Sequence, residues 1–351
     1  MRLSIVTRCD VGFSLNSAYS DWSSDYHIAR KLAEMGHSIS FYSWHQERLI
    51  DSQRGIKHFN TQGNNISKIA GMIDRDSDVV LVSSWKSLVR ELRLSDINKN
   101  IILWVRANKD MSTNNLHEVN EGVKYIIAVS GSLRDALVAK GYSKEKIEVV
   151  GNGYDPNIFF PFFGKREKML VYAGAVVPEK GIDLLLNAFN LVHSAHQDLE
   201  LHLYGSASLY GWDPIYKFED KSNMPRRVIF HGISRQGDLA IAFRKAELGF
   251  LLTDPDAGFE TFGKSALEMQ VCGLPIVVSN NGALPERVID GKTGYVLDDY
   301  SPDKLAEAIL KYYSLSAKKR MEMSRNAYLS SKENTWEKSA QELDKLLQRL
   351  T

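Results

Sequence analysis

The feature that most constrains this chain is its alternation of short apolar runs with segments of helical spacing. "LSIVT" is followed by "SDYHIARKLAEMGH", in which Ile28, Leu32 and Met35 recur at helical intervals and Gly36 supplies a stop. "SISFYS", "DVVLVSS", "NIILWVRA", "VKYIIAVS" and "KIEVV" continue the first half, with helical material between them. A second series runs through "MLVYAG", "GIDLLLNAFNLVHSA", "LELHLYG", "RVIFHG", "DLAIAFRKA", "LGFLLT", "PIVVSN", "TGYVL" and "PDKLAEAILKYYS". Strands that are apolar throughout, rather than at every second residue, are buried on both faces. The pattern therefore predicts parallel sheets covered by helices, in an α/β architecture of two doubly wound units.

The 351 residues exceed one typical domain. The Gly-, Pro- and charge-bearing stretch "NGYDPNIFFPFFGKREK" reads as the linker between units. The expected division is residues 1–160, 161–330 and a closing amphipathic helix in 331–351. Net charge is +1, and neither half has an excess of positive charge that would suit nucleic acid. The two cysteines, Cys9 and Cys272, lie in no metal-type spacing and form no disulfide framework, which points to a reducing, cytoplasmic setting. The chain starts directly as a strand, with no signal-like segment, and no apolar run approaches the ~18 residues of a membrane span. The aromatic run Ile158–Phe163 reads first as linker packed on a domain surface. Its second reading is weak peripheral contact with the inner membrane face.

In doubly wound sheets ligands bind beyond the carboxyl ends of strands, and the candidate motifs follow strands. After "MLVYAG", ending at Gly174, the loop with Pro178, Glu179, Lys180 and Gly181 leads into a helix. Helix-start N–H groups and a lysine suit a phosphate. After "LGFLLT" comes "GFETFGKSALEMQVCGLP", where Gly258 and Gly263 bracket a turn and a helix is expected from Phe262 onward. Glu260 precedes that helix. Glu268 lies inside it, on the face shared by Lys264 and Cys272. Carboxylates accept hydrogen bonds from hydroxyls, so a diphosphate flanked by sugars would satisfy the whole set. The competing reading is a surface Lys264–Glu268 ion pair, with Glu260 serving only the helix start.

The segment "GFETFGKSALEMQVCGLPIVVSNNGALPERVIDGKTGYVL" resembles the signature of the group 1 retaining glycosyltransferases. Its elements are Glu260, Glu268, Gly273, Pro275, Gly282, Pro285 and Glu286. "VSGSLRDALVAKGYSKEKIEVVGNGYDPNIFFP", with Asn152, Gly153 and Asp155, resembles the family's interdomain junction. "YAGAVVPEKGIDLLLNAF" resembles its diphosphate loop, and "TWEKSAQEL" its closing helix. The likeness implies the GT-B fold: two facing Rossmann-like domains with a cleft between them, an N-terminal acceptor domain, a C-terminal donor domain and a helix returning to the first domain. It implies transfer of a sugar from a nucleotide-diphosphate sugar to an acceptor hydroxyl, with no metal or other cofactor. Glu260 would hold the donor sugar, and Lys180 would neutralise the leaving diphosphate. Glu268 would take the ribose. Gly174 and the backbone of Phe262, Gly263 and Lys264 would contact sugar and phosphate, and Gly232 and Ile233 would flank the base. "DPD" at Asp254–Asp256 reads as a loop, not as a metal motif.

Two departures stand out. Ala175 occupies the position where the family places an arginine, so Lys264 or Arg244 would have to compensate. No histidine follows "IILWV"; Arg106, Asn108 and Asp110 stand there instead. The acceptor side is expected in the first domain, with Gly12, Asp21, Trp22, Asp25, Arg106 and Asn108 as its candidates and Trp85 as a weaker one; His27, early in the first helix, reads first as structural and only second as facing the cleft. His37 and Cys272 read as structural. The other functions open to such a chain are a nucleotide-sugar binding protein without transfer activity and a nucleotide-sugar epimerase.

Overall fold

A computed structural model describes residues 1–7, 23–43, 55–61, 66–83, 86–95, 97–107, 114, 116–207 and 227–350. The chain forms two compact units, Met1–Gly153 with Thr335–Thr351, and Tyr154–Asn334.

The first unit holds β1 (Arg2–Thr7), α1 (Ser24–Glu34), β2 (Ser38–Ser43), β3 (Ile56–Asn60), α2 (Ile66–Asp76) and β4 (Val79–Ser83). It continues with α3 (Lys86–Leu94), β5 (Asn100–Val105), α4 (Leu116–Gly122), β6 (Tyr125–Ala128), α5 (Gly131–Ala139) and β7 (Ile147–Val149). Its sheet has the order β3-β2-β1-β4-β5-β6-β7 and every pairing is parallel. β4 is buried along its whole length, as its uninterrupted apolar sequence requires. β3 was not expected. Its sequence, "IKHFN", carries Lys57 and His58, which an edge strand tolerates because only one neighbour pairs with it.

The second unit holds β8 (Met169–Ala173), α6 (Ile182–His193), β9 (Glu200–Tyr204), β10 (Val228–Gly232), α7 (Gln236–Lys245) and β11 (Leu248–Leu251). It continues with α8 (Lys264–Val271), β12 (Ile276–Val278), α9 (Leu284–Arg287), β13 (Gly294–Val296), α10 (Pro302–Ser314) and α11 (Ala317–Ser331). The sheet order is β10-β9-β8-β11-β12-β13, again all parallel. The strand order therefore reverses between β8 and β11. Leu170, Tyr172, Phe189, Phe250, Val277, Leu305 and Ile309 are fully buried in its core. α6 packs with α10, while α8 packs with α7 and α11. α11 also escaped the sequence reading. Only a narrow stripe of Met323, Ala327 and Ser331, at four-residue spacing, marks its buried face.

The last helix, α12 (Trp336–Gln348), belongs to the first unit and packs against α1. Ser339 donates to the Gly151 carbonyl at 2.7 Å, and His37 Nε2 lies 2.9 Å from Asp344 Oδ1. Trp336 stacks on His27, with ring centroids 5.0 Å apart. His27 is thus packed in the unit rather than facing a cleft: it is 5% exposed. A Cβ on Gly153 would fall 2.2 Å from the Trp336 nitrogen, so only glycine lets α12 start there.

The units divide a few residues from the expected positions because local bonds decide the border. Tyr154 N–H donates to the Asn334 carbonyl at 3.1 Å, and its hydroxyl to the Lys332 carbonyl at 2.9 Å. Phe159 is buried and stacks on Phe243, so the aromatic run belongs to the second unit, with Phe160, Phe162 and Phe163 partly exposed. Among the described residues no helix is long and apolar enough to cross a membrane.

Arg166 pins the second unit from the amino side of its sheet. Its guanidinium reaches the Phe243, Arg244 and Ala246 carbonyls at the end of α7 and the Cys272 and Gly273 carbonyls at the end of α8, all within 3.1 Å. Helix C-termini carry partial negative charge, so their carbonyls serve this half-buried cation in place of a carboxylate. Burial pulls the guanidinium down to about 10. Arg166→Met should lower stability by roughly 2–4 kcal/mol, because several buried carbonyls lose a charged donor. Urea unfolding followed by circular dichroism checks this, and an unchanged midpoint would show that the carbonyls find other donors.

Candidate functional site

The strand-order reversal leaves the loops after β8 and β11 side by side at the carboxyl edge of the second unit. Each loop ends in a glycine with left-handed backbone that caps a helix. Gly181 (φ 74°) begins α6 and Gly263 (φ 79°) begins α8, and neither cap has a side chain to take up the first N–H groups. Two helix N-termini therefore present partial positive charge at the same edge. α8 starts at Lys264, two residues later than expected, so Glu268 lies one turn into the helix.

The loops approach too closely for side chains. A Cβ on Gly181 would sit 2.2 Å from the Leu252 carbonyl oxygen, which also accepts from Tyr300 Oη at 3.0 Å. The Asp254 N–H donates to the Glu179 carbonyl at 3.0 Å. This contact brings Lys180 to Glu260, with Nζ and Oε2 2.7 Å apart. Thr253 Oγ1 donates to the same Oε2 at 2.9 Å and lies 3.2 Å from Lys180 Nζ.

The loop after β12 fixes the backbone of Glu260. The side chain of Asn281 accepts from the Glu260 N–H at 3.2 Å, and its amide donates toward the Asp254 and Gly258 carbonyls at 3.0 and 2.7 Å. Ala283 N–H donates to the Glu260 carbonyl at 2.8 Å, and a Cβ on Gly282 would meet that oxygen at 2.2 Å. Sequence reasoning found Gly282 but missed Thr253 and Asn281. The available signal was "SNNG" directly after a strand, since Asn beside Gly organises loops through its amide.

Glu268 is 1% exposed, and its nearest cation is Lys264, with Nζ 3.6 Å from Oε1. Neither carboxylate oxygen has a hydrogen-bond partner among the described residues. Burial pushes this carboxyl above the usual range, against a smaller pull from Lys264. The Lys264–Glu268 ion pair exists, but it is not a surface pair. Phe262 is buried beneath the Arg287 guanidinium, 4.6 Å from its ring, so that only its backbone belongs to the edge.

The remaining residues expected on the donor side line the same edge. Gly174 N–H donates to the Tyr204 carbonyl at 3.0 Å, and Gly205 N–H to the Gly232 carbonyl at 2.8 Å. Gly232 (φ 68°) ends the edge strand β10, and Ile233 beyond it is half-exposed. Beside them His231 stacks flat on Tyr204, with centroids 4.2 Å apart, and bonds to His202 at 3.0 Å. No sequence motif marked this aromatic platform. Arg244 does not compensate for Ala175. α7 runs back to the amino edge of the sheet, and the guanidinium lies 4.1 Å over the Phe160 ring. Asp254 Oδ1 accepts from the Asp256 N–H at 2.9 Å and closes a turn. Among the described residues no three His, Cys, Asp or Glu side chains gather around a metal position.

In the first unit, Arg106 Nε lies 3.0 Å from Asp25 Oδ1, and its Nη1 donates to Asn152 Oδ1 at 2.7 Å. Ser83 also donates to Asp25, and the guanidinium lies 3.8 Å over the Trp104 ring. Both members of the pair are nearly buried, which makes this cluster a support at the carboxyl edge of that sheet. Gly12, Asp21, Trp22 and Asn108, with Cys9, Trp85 and Asp110, lie outside the described residues.

Comparison with known proteins supplies context for this geometry. The family model of the group 1 glycosyl transferases matches residues 155–330, half of the chain. A D-inositol 3-phosphate glycosyltransferase of Paenarthrobacter aurescens is 26% identical over 233 residues, covering 63% of this chain and 56% of the relative. One of the same description from Mycobacterium bovis is 29% identical over 238 residues, covering 64% and 48%. The chain thus spans about half the length of the curated relatives it matches. Among solved structures, Anabaena HepE in complex with UDP and glucose superposes with a TM-score of 0.80 at 16% identity, and each chain is covered completely. Sucrose-phosphate synthase of Thermosynechococcus elongatus gives 0.79 at 16% identity, covering 100% of this chain and 99% of the other. At these identities the likeness shows the two-unit GT-B fold.

Glu268 has a thermodynamic signature. A carboxyl whose folded pKa is raised keeps its proton longer in the native state, so stability falls as pH rises past the ordinary Glu range. Without added nucleotide, Glu268→Gln should match the parent at pH 5 and exceed it by a few degrees in Tm at pH 8. Thermal melts across that range decide it; parallel curves would mean that the carboxylate is satisfied.

Proposed function

This chain belongs to the group 1 glycosyl transferases, and from that premise we propose that it moves a sugar from a nucleoside-diphosphate sugar to an acceptor hydroxyl with retention at the anomeric carbon. The observation that carries the reading is the pair of glycine-capped helix starts, Gly181 and Gly263, with Lys180, Glu260 and Glu268 around them. Uncapped N–H groups and lysines answer phosphate oxygens. Acceptor-only carboxylates answer hydroxyls.

In this reading the diphosphate sits on the starts of α6 and α8, with Lys180 stabilising the charge that grows as the anomeric carbon–oxygen bond breaks. The electron pair of that bond leaves with the nucleoside diphosphate. The acceptor oxygen bonds to the anomeric carbon from the face that the phosphate leaves, and the acceptor proton passes to a departing phosphate oxygen. Glu260, fixed by Asn281 and Ala283, orients the sugar hydroxyls. Glu268 takes the ribose hydroxyls, and the backbone of Gly232 and Ile233 flanks the base. No metal enters this scheme. We assign the acceptor to the first unit, whose carboxyl edge carries the Asp25–Arg106 cluster.

Thermal denaturation with UDP, GDP, ADP and dTDP in turn, followed by donor hydrolysis with the matching sugars, tests the proposal. UDP comes first in the panel because of the UDP complex of HepE. One nucleotide should stabilise the chain by about 2.7 kcal/mol at 100 times its Kd. Binding without hydrolysis or transfer would favour a binding protein, conversion of the donor to an epimer would favour an epimerase, and no shift from any nucleotide would overturn the assignment. Glu268→Ala should weaken the bound nucleotide roughly 5- to 150-fold. It should also erase the preference for ribose over 2′,3′-dideoxyribose, a readout that a general loss of fold would not mimic.

A further inference from the structure

Lys180 and Glu260 are each other's counter-ion, 2.7 Å apart and with side chains 32% and 16% exposed, so that a ligand can reach both. Their backbones have little freedom to separate. Lys180 sits in a three-residue turn closed by Lys180 N–H to the Val177 carbonyl and Gly181 N–H to the Pro178 carbonyl, at 3.0 and 2.8 Å. Glu260 is held at its N–H by Asn281 and at its carbonyl by Ala283. Only the side chains can yield, and Thr253 Oγ1 stands against both of them.

We propose that this ion pair discriminates the intact donor from the product: Glu260 and the β-phosphate of a nucleoside diphosphate compete for the Lys180 ammonium. The inference rests on the donor site proposed above and adds to it a mechanism for product release. With an intact nucleotide sugar the phosphate takes Lys180, and the sugar hydroxyls donate to the carboxylate that Lys180 leaves. Every charged group keeps a partner. Once the sugar has gone, the nucleoside diphosphate still calls on Lys180 but brings no hydroxyl to Glu260. Two anions then share one cation, and the Lys180–Glu260 bond re-forms as the diphosphate departs. The Lys264–Glu268 pair makes no such distinction, because donor and product present the same ribose.

The test measures binding to the full chain by calorimetry, using whichever nucleoside diphosphate binds the parent, its monophosphate and its sugar conjugate. Glu260→Gln removes the competing charge while keeping the side chain's shape. It should tighten the diphosphate about tenfold, the worth of a charge-assisted contact regained, and leave the monophosphate unchanged. The sugar conjugate should lose its advantage over the diphosphate. In a Lys180→Met background the Glu260→Gln gain should disappear, which separates competition for Lys180 from a general change in the site. Melting curves for each variant confirm folding. Unchanged or weaker diphosphate binding by folded Glu260→Gln would overturn the inference while leaving the donor site standing. A parent chain that binds no nucleotide would overturn both.

Discussion

The reversal of strand order between β8 and β11 is the constraint on which the rest of the second unit depends. In a parallel sheet the chain must leave each strand through a crossover helix. At a reversal the helices of adjacent strands depart to different layers, α6 beside α10 and α8 beside α7 and α11. Such a reversal is where crevices form at the carboxyl edge of doubly wound sheets, and both helix N-termini lie at that edge. Glycines at 181 and 263 let the chain turn into those helices while their first N–H groups remain without side-chain caps. Local rules of helix design would place Ser or Asp there. Glycine at both caps leaves the first N–H groups of two adjacent helices open at one edge, which is the feature the proposed donor site uses.

Glu268 departs from the rules in the same way. A carboxylate buried to 1% exposure, with no hydrogen-bond partner among the described residues, opposes folding, and the surrounding structure bears that cost. At the opposite edge Arg166 gathers the ends of α7 and α8. The helix that carries Glu268 is therefore anchored at its C-terminus by the half-buried Arg166, while its N-terminus carries no side-chain cap. The anchoring contacts and the proposed donor site thus lie at opposite ends of the same helix.

Much of this was legible in the sequence. Continuous apolar strands announced parallel sheets, and the spacing of Glu260 and Glu268 around a glycine turn placed the candidate donor edge. Other parts were hidden for physical reasons. β3 is an edge strand with polar residues, and α11 buries only a thin stripe of Met323 and small side chains, so neither has a strong period. Thr253 and Asn281 act through single hydrogen bonds made after the chain folds, which no spacing records. Arg244 was misplaced because sequence shows a nearby charge but not the end of the sheet to which its helix returns. Of the acceptor candidates, Arg106 and Asp25 proved to be engaged with each other, and Gly12, Asp21, Trp22, Trp85 and Asn108 lie outside the described residues.

Amide hydrogen exchange with and without a nucleoside diphosphate tests the central claim most directly, because that claim concerns particular N–H groups. Protection should concentrate in the peptides covering Gly181–Asp183 and Gly263–Ser265, with a smaller change around Gly232–Ser234. Protection confined to the first unit, or spread evenly over the chain, would contradict a donor site at the starts of α6 and α8.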